Sequence, residues 1–341
     1  SFINFLNLSY ILLNIHITSY LIITERIKFM KKKITNLLIL TLLIFILITI
    51  LVYPTDIIKS VLFSFEIWKN NIFPTLFPFF IISDLLTNYG LINILGKLTK
   101  NIMKKLFYLP GEASFVIISS MTSGFPSSAK FIKNLLDEEI LNTNEAEYLL
   151  TFTHFSSPLF VIGFIGCTTL GEKELGYIIL LSHIISNFII AFITRKKEFC
   201  VTNTKDKKLT ITKRKGFIES LTLSITRTIN TLLLLLGIIT TFLIISTIIL
   251  KFCNPSPLTK ALISGTLEMT QGIKYISTIE IPQYVKASII GFFISFGGIS
   301  IHLQVMSILS DTKIKYRTYF LARIAHAFLT SSIILLITNL L

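Results

Sequence analysis

The chain has 341 residues and a formal net charge of +14, and 52% of its residues are hydrophobic whereas only 15% are charged. A soluble domain usually contains about 25% charged residues, and apolar tracts long enough to cross a bilayer recur along this chain. These properties exclude a soluble globular enzyme. They also indicate that the excess of Lys and Arg marks cytoplasmic loops rather than a surface for nucleic acid.

The N-terminal part contains a basic start followed by one long apolar stretch. Three lysines, Lys31 to Lys33, precede the uncharged segment 34–52, which is the pattern of a signal anchor that runs outward. Residues 1–29 are apolar but interrupted by polar side chains. We expect either an N-terminal extension or a marginal extra span there.

Basic loops orient the next spans, because positive charge is retained on the cytoplasmic side. Segment 195–215 holds nine basic and two acidic residues and therefore stays inside. Residues 72–95 are predicted to run inward to a group of lysines. Working back from the basic loop, 151–170 runs outward and 176–194 runs inward.

These span directions leave segment 111–132 with both ends on the inside of the membrane. Its centre contains Gly124 and Pro126, which break a helix. We predict a re-entrant hairpin that enters and leaves on the inner face. An amphipathic helix over 133–150 would follow it along the inner surface of the membrane.

The second half mirrors the first with the opposite orientation. Span 229–250 runs outward, 285–309 runs inward and 319–341 runs outward, so the Gly-interrupted segment 258–279 must be re-entrant from the outside. We therefore predict an all-α, polytopic membrane protein with about seven or eight transmembrane helices and two re-entrant hairpins in an inverted repeat. That architecture is typical of secondary transporters.

The predicted domain organisation follows from these spans. It comprises the extension or marginal span 1–29, a signal-anchor helix 30–53, a first repeat 54–194, a basic cytoplasmic linker 195–228 and a second, inverted repeat 229–341.

Four polar breaks interrupt the apolar tracts, two at the hairpin centres and two within or at the start of spans. Proline removes a backbone donor and glycine lowers the cost of unwinding. Freed amides at half-helix N-termini suit a small anionic solute. The hydroxyls of Ser and Thr fit carboxylates, ring nitrogens or sugar hydroxyls about equally well. The other interpretation is that small residues only permit close helix packing. The candidate substrate-binding residues are Ser123, Gly124, Ser127, Ser128 and Lys130 in the first hairpin, Thr153, His154, Ser156 and Ser157 before Pro158, Ser264, Thr266, Glu268 and Thr270 in the second hairpin, and Ser295, Gly297, Gly298, Ser300 and His302 in the last break.

Ionisable residues within spans are the second kind of candidate, because a charge at the bilayer centre costs roughly 2.5–3.5 kcal/mol on insertion scales. Lys130 or Arg323 would neutralise a carboxylate, and Glu268 or a histidine would carry a coupling proton. Glu112 and His326 are further candidates for coupling or charge neutralisation. The alternative for Lys130 and Arg323 is that their long side chains reach the inner interface.

The sequence contains no P-loop, no HExxH and no GxSxG pattern, so we expect that the protein is not an enzyme. Cys167, Cys200 and Cys253 are scattered and form no spacing typical of a disulfide framework or a zinc site. We therefore expect neither a metal nor a cofactor.

Several segments resemble the YlbJ-type sporulation integral membrane proteins, a family with a nucleoside-recognition gate domain. Among them are LPGEASFVIISSMTSGFPSSAK and FISFGGISIHLQVMSIL. The resemblance covers about residues 60–330. It is carried by residues 71–90, 109–130, 145–166, 264–273 and 293–309, followed by Arg323 and His326.

This resemblance implies a fold similar in plan to concentrative nucleoside transporters and a role in endospore formation. The family is associated with moving dipicolinic acid from the mother cell toward the forespore, across the outer forespore membrane. Dipicolinate and the lipid bilayer are thus the expected partners, and self-association into a homo-oligomer is a further expectation. Two alternatives stay open: a carrier for nucleosides or other organic anions, and a non-transporting scaffold for spore assembly.

Overall fold

The computed structural model describes residues 30, 32–195 and 216–340. The extension or marginal span expected over 1–29 and most of the basic loop expected over 195–215 lie outside these residues. The described residues contain helices and no β-strand, which confirms the all-α prediction. The helices are α1 (Lys32–Val52), α2 (Pro54–Ile67), π1 (Trp68–Ile72), α3 (Phe73–Asn88), α4 (Leu91–Phe107), α5 (Ala113–Ser123), α6 (Ser127–Asp137), α7 (Thr143–Phe152), π2 (Leu159–Leu170), α8 (Lys173–Thr194), α9 (Phe217–Cys253), α10 (Pro257–Leu267), α11 (Met269–Ser277), α12 (Gln283–Phe296), α13 (Gly298–Ile308) and α14 (Tyr316–Leu340).

Five helical segments among the described residues are long and apolar enough to cross a membrane, or six if one bent pair is counted as a span. The protein is therefore a multi-pass integral membrane protein. The number is lower than the predicted seven or eight because two predicted spans, 72–95 and 151–170, are not continuous helices.

The chain forms two compact units, residues 1–58 and 59–341. In the first unit, α1 covers the predicted apolar stretch 34–52, and only 6% of its most apolar window is buried. A helix that is apolar on all sides and not covered by protein is suited to contact with lipid.

The prediction of one span over 72–95 is wrong. Helix α3 ends at Asn88, Gly90 has a left-handed φ of 92°, and α4 leaves at 80° to the preceding helical segment. Helix geometry cannot continue through a left-handed residue, so the Tyr89–Gly90 pair turns the chain.

The segment predicted as the first hairpin consists of two short helices, α5 and α6, that pack against each other. They are separated by Gly124, whose φ is 82°. The prediction of one amphipathic helix over 133–150 is wrong, because α6 ends at Asp137 and α7 starts after a turn. A reciprocal capping box between Asn142 and Glu145 fixes that start.

The segment predicted as the second hairpin has the same helix–break–helix form, with Glu268 between α10 and α11. The two helices approach closely because glycines face each other. A Cβ atom on Gly272 would lie 2.2 Å from the Cα atom of Gly265. The last break lies between α12 and α13, where Gly297 and Gly298 both have positive φ.

The broken spans lie at the centre of the second unit. The α7–π2 segment packs on α8. In the α12–α13 segment, α12 packs on α14, and α8 and α14 pack on each other. Helix α9 is longer than the predicted span 229–250, because it begins at Phe217. Its 37 residues extend about 55 Å, which exceeds the ~30 Å hydrocarbon core.

A methyl group at Gly272 should destabilise the protein, whereas one at Gly237 should not. Gly272→Ala places the new Cβ atom against the α10 backbone, and overpacking of this kind costs about 1–3 kcal/mol. Gly237 lies in α9, where a Cβ atom would have nothing within 4 Å, so Gly237→Ala gains helix propensity. Thermal unfolding of the detergent-purified variants should show a lower midpoint for the first only. Equal midpoints would contradict the close packing of α10 and α11.

Candidate functional site

One pocket lies where three of the four polar breaks meet. The break after α5 contributes Ser123 and Gly124, and the non-helical segment after α7 contributes Ser156 and Ser157. The α10–α11 junction contributes Glu268, together with Thr270. Residues that are far apart in the sequence therefore share one cavity.

The pocket also contains residues that the sequence reasoning missed. Asn71 and Thr75 come from π1 and α3, Phe125 and Phe160 add aromatic rings, and Gln304 comes from α13. Gln304 is only 3% exposed, and a buried amide within an apolar span is costly without a partner or ligand. The presence of an amide side chain within an apolar span was therefore the sequence signal that could have identified Gln304.

Glu268 is the N-cap of α11 and, within the described ranges, the only charged residue that lines the pocket. Its Oε2 atom accepts hydrogen bonds from the backbone amides of Thr270 (2.9 Å) and Gln271 (3.1 Å), and from the Thr270 hydroxyl. Among the described residues, no hydrogen bond reaches its Oε1 atom. The carboxylate is thus held in place through one oxygen, and helix N-termini favour such a negative group.

The first break is fixed by close backbone contact with the segment after α7. A Cβ atom on Gly124 would lie 2.7 Å from the Ser157 nitrogen, so only glycine fits here. Ser123 donates to the Ser127 hydroxyl at 2.6 Å, and the Ser157 hydroxyl accepts from the Phe160 amide at 3.3 Å. These bonds satisfy polar groups that the broken helices leave unpaired.

A second group of polar residues is buried next to the pocket. We call His154, His183, His302, Arg323 and His326 the buried basic cluster; each is at most 2% exposed. His183 was not singled out from the sequence. Ring centroids of His183 and His326 are 4.5 Å apart, and those of His154 and His326 are 6.3 Å apart.

Hydrogen bonds assign neutral tautomers to three of these histidines. His326 donates from Nε2 to the His183 carbonyl (2.9 Å) and accepts from Arg323 at Nδ1 (2.7 Å). His183 accepts from the Ser156 amide at Nε2 (3.1 Å), so its Nδ1 donates to Ser295 (2.9 Å). A ring with one donor and one acceptor is an uncharged imidazole.

His302 follows the same pattern. Its Nε2 donates to the carbonyl of Phe296, the last residue of α12, at 2.9 Å, and its Nδ1 accepts from Tyr316 at 3.0 Å. His154 pairs through Nδ1 with Tyr319 at 3.0 Å, while its buried Nε2 has no partner among the described residues. Asn187 donates to the His154 carbonyl at 2.8 Å.

Arg323 is fully buried and closes the C-terminal end of α7. Its guanidinium donates to the Thr151 carbonyl and to His326, and it lies 5.5 Å from the centre of the Tyr319 ring. A cation is favourable at a helix C-terminus. No ion pair between Arg323 and a carboxylate occurs within the described part of the chain.

Several candidates lie away from the pocket lining. Lys130 forms an ion pair with Asp84 at 3.0 Å and lies over the Phe80 ring. Thr266 is exposed and bonds to its own helix, and Glu112 lies against Gly96. Gly297 approaches His154, and Gly298 approaches the α10–α11 junction. The remaining candidates outside the lining are Ser127, Ser128, Thr153, Ser264, Ser295 and Ser300, all buried.

No group of three or more His, Cys, Asp or Glu side chains could hold a metal ion in the ranges that the structure describes. The polar atoms of the pocket and cluster are instead arranged for hydrogen bonding. Hydroxyls, amides and one carboxylate around an apolar cavity can bind a small polar ring compound.

Comparisons with known proteins confirm the resemblance found in the sequence. Residues 71–173 match the family model described as Gate, nucleoside recognition. The chain is 28% identical over 326 residues to the sporulation integral membrane protein YlbJ of Bacillus subtilis (strain 168), covering 86% of this chain and 80% of that protein. No solved structure matches the chain.

The Lys130–Asp84 pair yields a prediction about stability. Lys130→Met or Asp84→Asn alone leaves one largely buried charge without its partner, and such a loss costs about 3–5 kcal/mol when burial is complete. The double variant removes both charges and should recover most of that stability. Thermal unfolding of the three purified variants measures this. Additive losses in the double variant would show that the two charges do not depend on each other.

Proposed function

We propose that this membrane protein, a relative of YlbJ with a Gate region, is a secondary transporter or facilitator for a small organic solute. The observation that carries the proposal is the convergence of three helix breaks on one pocket. Non-helical backbone at membrane depth persists only where protein or a wet cavity satisfies it. Carriers place such breaks around the solute.

An inverted repeat with two re-entrant hairpins is part of this proposal. In each half, the break of a short helix pair packs on the break of the span that follows: Gly124 on Ser157, and the α10–α11 junction on Gly298. The two broken spans then pack on α8 and α14, which pack on each other. This correspondence supports a common plan for the two halves.

Dipicolinate is the solute we propose first. The name of the Bacillus relative assigns that protein to sporulation, and the resemblance described above implies movement of dipicolinic acid toward the forespore across the outer forespore membrane. A pyridine ring fits an apolar cavity with two phenylalanines, and its carboxylates suit hydroxyl donors. We include a homo-oligomer in the proposal solely because the family resemblance leads us to expect one.

A nucleoside is the second candidate, and a specific observation favours it. The pocket lining contains Glu268 and two side-chain amides, from Asn71 and Gln304, but no cationic side chain among the residues that the structure describes. The Oε1 atom of Glu268 is suited to accept hydrogen bonds from ribose hydroxyls. The matching family model is also described as nucleoside recognition.

Flux measurements on proteoliposomes test the proposal. Labelled dipicolinate should enter vesicles that contain the wild-type protein faster than it enters empty vesicles. An excess of nucleoside should not slow this entry. Competition by the nucleoside would favour the second candidate. No flux of either solute, with or without proton and sodium gradients, would contradict a carrier and favour a membrane scaffold.

Gly124→Ala should lower the flux at least about tenfold, because strain of about 1–3 kcal/mol at a residue with positive φ alters the break that lines the pocket. Gly237→Ala, at an exposed position of α9, is the matched control and should transport like the wild type. A scaffold without transport predicts normal sporulation for Gly124→Ala and for Glu268→Ala. Sporulation defects that follow the flux would support the carrier.

The inverted repeat predicts which loops react from each side of the membrane. In a variant without the native cysteines, single cysteines at the exposed positions Lys105 and Glu138 should react with an impermeant thiol reagent only from the inside. Cysteines at Asn254 and Glu280 should react only from the outside. Labelling of the two ends of either helix pair from opposite sides would contradict a re-entrant hairpin.

A further inference from the structure

We infer that Arg323 is the anion-recognition residue of the carrier, and that the stacked rings of Phe125 and His154 separate it from the solute pocket. The inference rests on the proposed function and identifies the group that recognises the negative charge of the solute. The pocket itself would hold the ring of the solute, and Arg323 would bind a carboxylate once the rings of Phe125 and His154 move aside.

The first support is a buried charge that has no carboxylate partner among the described residues. Arg323 has no accessible surface, and its hydrogen bonds go to a backbone carbonyl and to a neutral imidazole. The hydrogen-bond pattern makes His183 and His326 uncharged, and no carboxylate pairs with the guanidinium among the residues that the structure describes. A buried cation without a counter-ion is costly, so an anionic ligand would gain from reaching it.

The second support is a pair of unused polar atoms. The Nε atom of Arg323 and the Nε2 atom of His154 are buried and have no hydrogen-bond partner within the described ranges. When Tyr319 donates to Nδ1 of His154, the Nε2 atom carries the proton and lacks an acceptor. Buried donors are nearly always satisfied in native structures. Two orphan donors in one cluster point to an acceptor that is bound only transiently.

The third support is the position of Phe125 between the two sites. Phe125 lines the pocket, and its ring stacks on the His154 ring with centroids 4.7 Å apart. His154 in turn lies against His326 and Tyr319, which contact Arg323. Phe125 is half-buried and His154 is 1% exposed. The rings of Phe125 and then His154 therefore lie in succession between the pocket and Arg323.

These contacts give the two sites different selectivity. The pocket offers hydroxyls, amides and aromatic rings, which bind an uncharged ring compound as readily as a charged one. The guanidinium adds charge-assisted hydrogen bonds that favour a carboxylate over an uncharged acceptor. Arg323 therefore determines the preference for carboxylates, and Phe125 limits access to it.

Equilibrium binding of three pyridines to the purified protein tests the role of Arg323. The series is pyridine-2,6-dicarboxylate, pyridine-2-carboxylate and the uncharged pyridine-2-carboxamide. Arg323→Gln should weaken binding of the dicarboxylate about tenfold or more, and that of the carboxamide less than about twofold. Arg323→Lys keeps the charge but loses the planar fork, and it should fall between Gln and wild type.

Phe125→Ala should raise the ratio of dicarboxylate to carboxamide affinity, because it removes the outer of the two stacked rings that lie between the pocket and Arg323. Phe160→Ala is the matched control: it removes another pocket ring, which stacks on Phe164, and it should leave that ratio unchanged. In the double variant Phe125→Ala/Arg323→Gln the gain should disappear. The comparison of Phe125→Ala with Phe160→Ala needs no stable Arg323 variant to give a result.

Equal losses for charged and uncharged pyridines in Arg323→Gln would overturn the inference and assign the residue a structural role only. Indistinguishable ratios in Phe125→Ala and Phe160→Ala would also overturn it. Wild-type protein that transports dipicolinate but binds the three pyridines equally would refute this inference and leave the carrier intact. Absence of both binding and flux would contradict the proposed function itself.

Discussion

The constraint on which the structure depends is that backbone groups freed by a helix break inside a membrane need partners within the protein. Side chains from other parts of the chain supply them. The carbonyl of Thr151 near the end of α7 is bound by Arg323, and the carbonyl of Phe296 at the end of α12 is bound by His302. Glu268 binds the free amides at the start of α11. Three of the breaks are thereby closed by a polar side chain, and the Arg323 contact also joins two helices that are distant in the sequence.

This constraint explains why a pocket and a basic cluster occur side by side. Groups that satisfy broken backbone must be polar, and polar residues from both halves are therefore collected around the breaks. Around His183, which accepts from the Ser156 amide that the break after α7 leaves free, the interior is packed. Around Gln304, a mainly apolar cavity with a few hydroxyl and amide groups remains. A solute can form hydrogen bonds with the side-chain groups that do not bind the backbone.

Much of the local structure could be predicted from the sequence because its signals are local. Glycine and proline at Gly124, Pro126, Gly297 and Gly298 mark breaks wherever they occur in apolar tracts, and the structure has breaks there. The same signal was present at Gly90, but the apolar run across it suggested a continuous span. Hydropathy reports composition over a window and does not reveal an 80° bend.

The partners of buried polar residues could not be predicted, since they are set by tertiary contacts. Lys130 is paired with Asp84, 46 positions away in the chain, and nothing in either segment indicates the other. His183 lies in a regular apolar helix without a break. Asn71 and Gln304 are single polar residues whose helix face decides whether they meet the pocket, lipid or another helix.

The most direct test of the central claim is an experimental structure of the protein in lipid nanodiscs with saturating dipicolinate. The account predicts solute density in the pocket between the α5–α6 break, the segment after α7 and Glu268, with one carboxylate toward Phe125 and Arg323. Solute bound elsewhere, or a pocket that stays filled by side chains or a lipid tail at saturating dipicolinate, would contradict it.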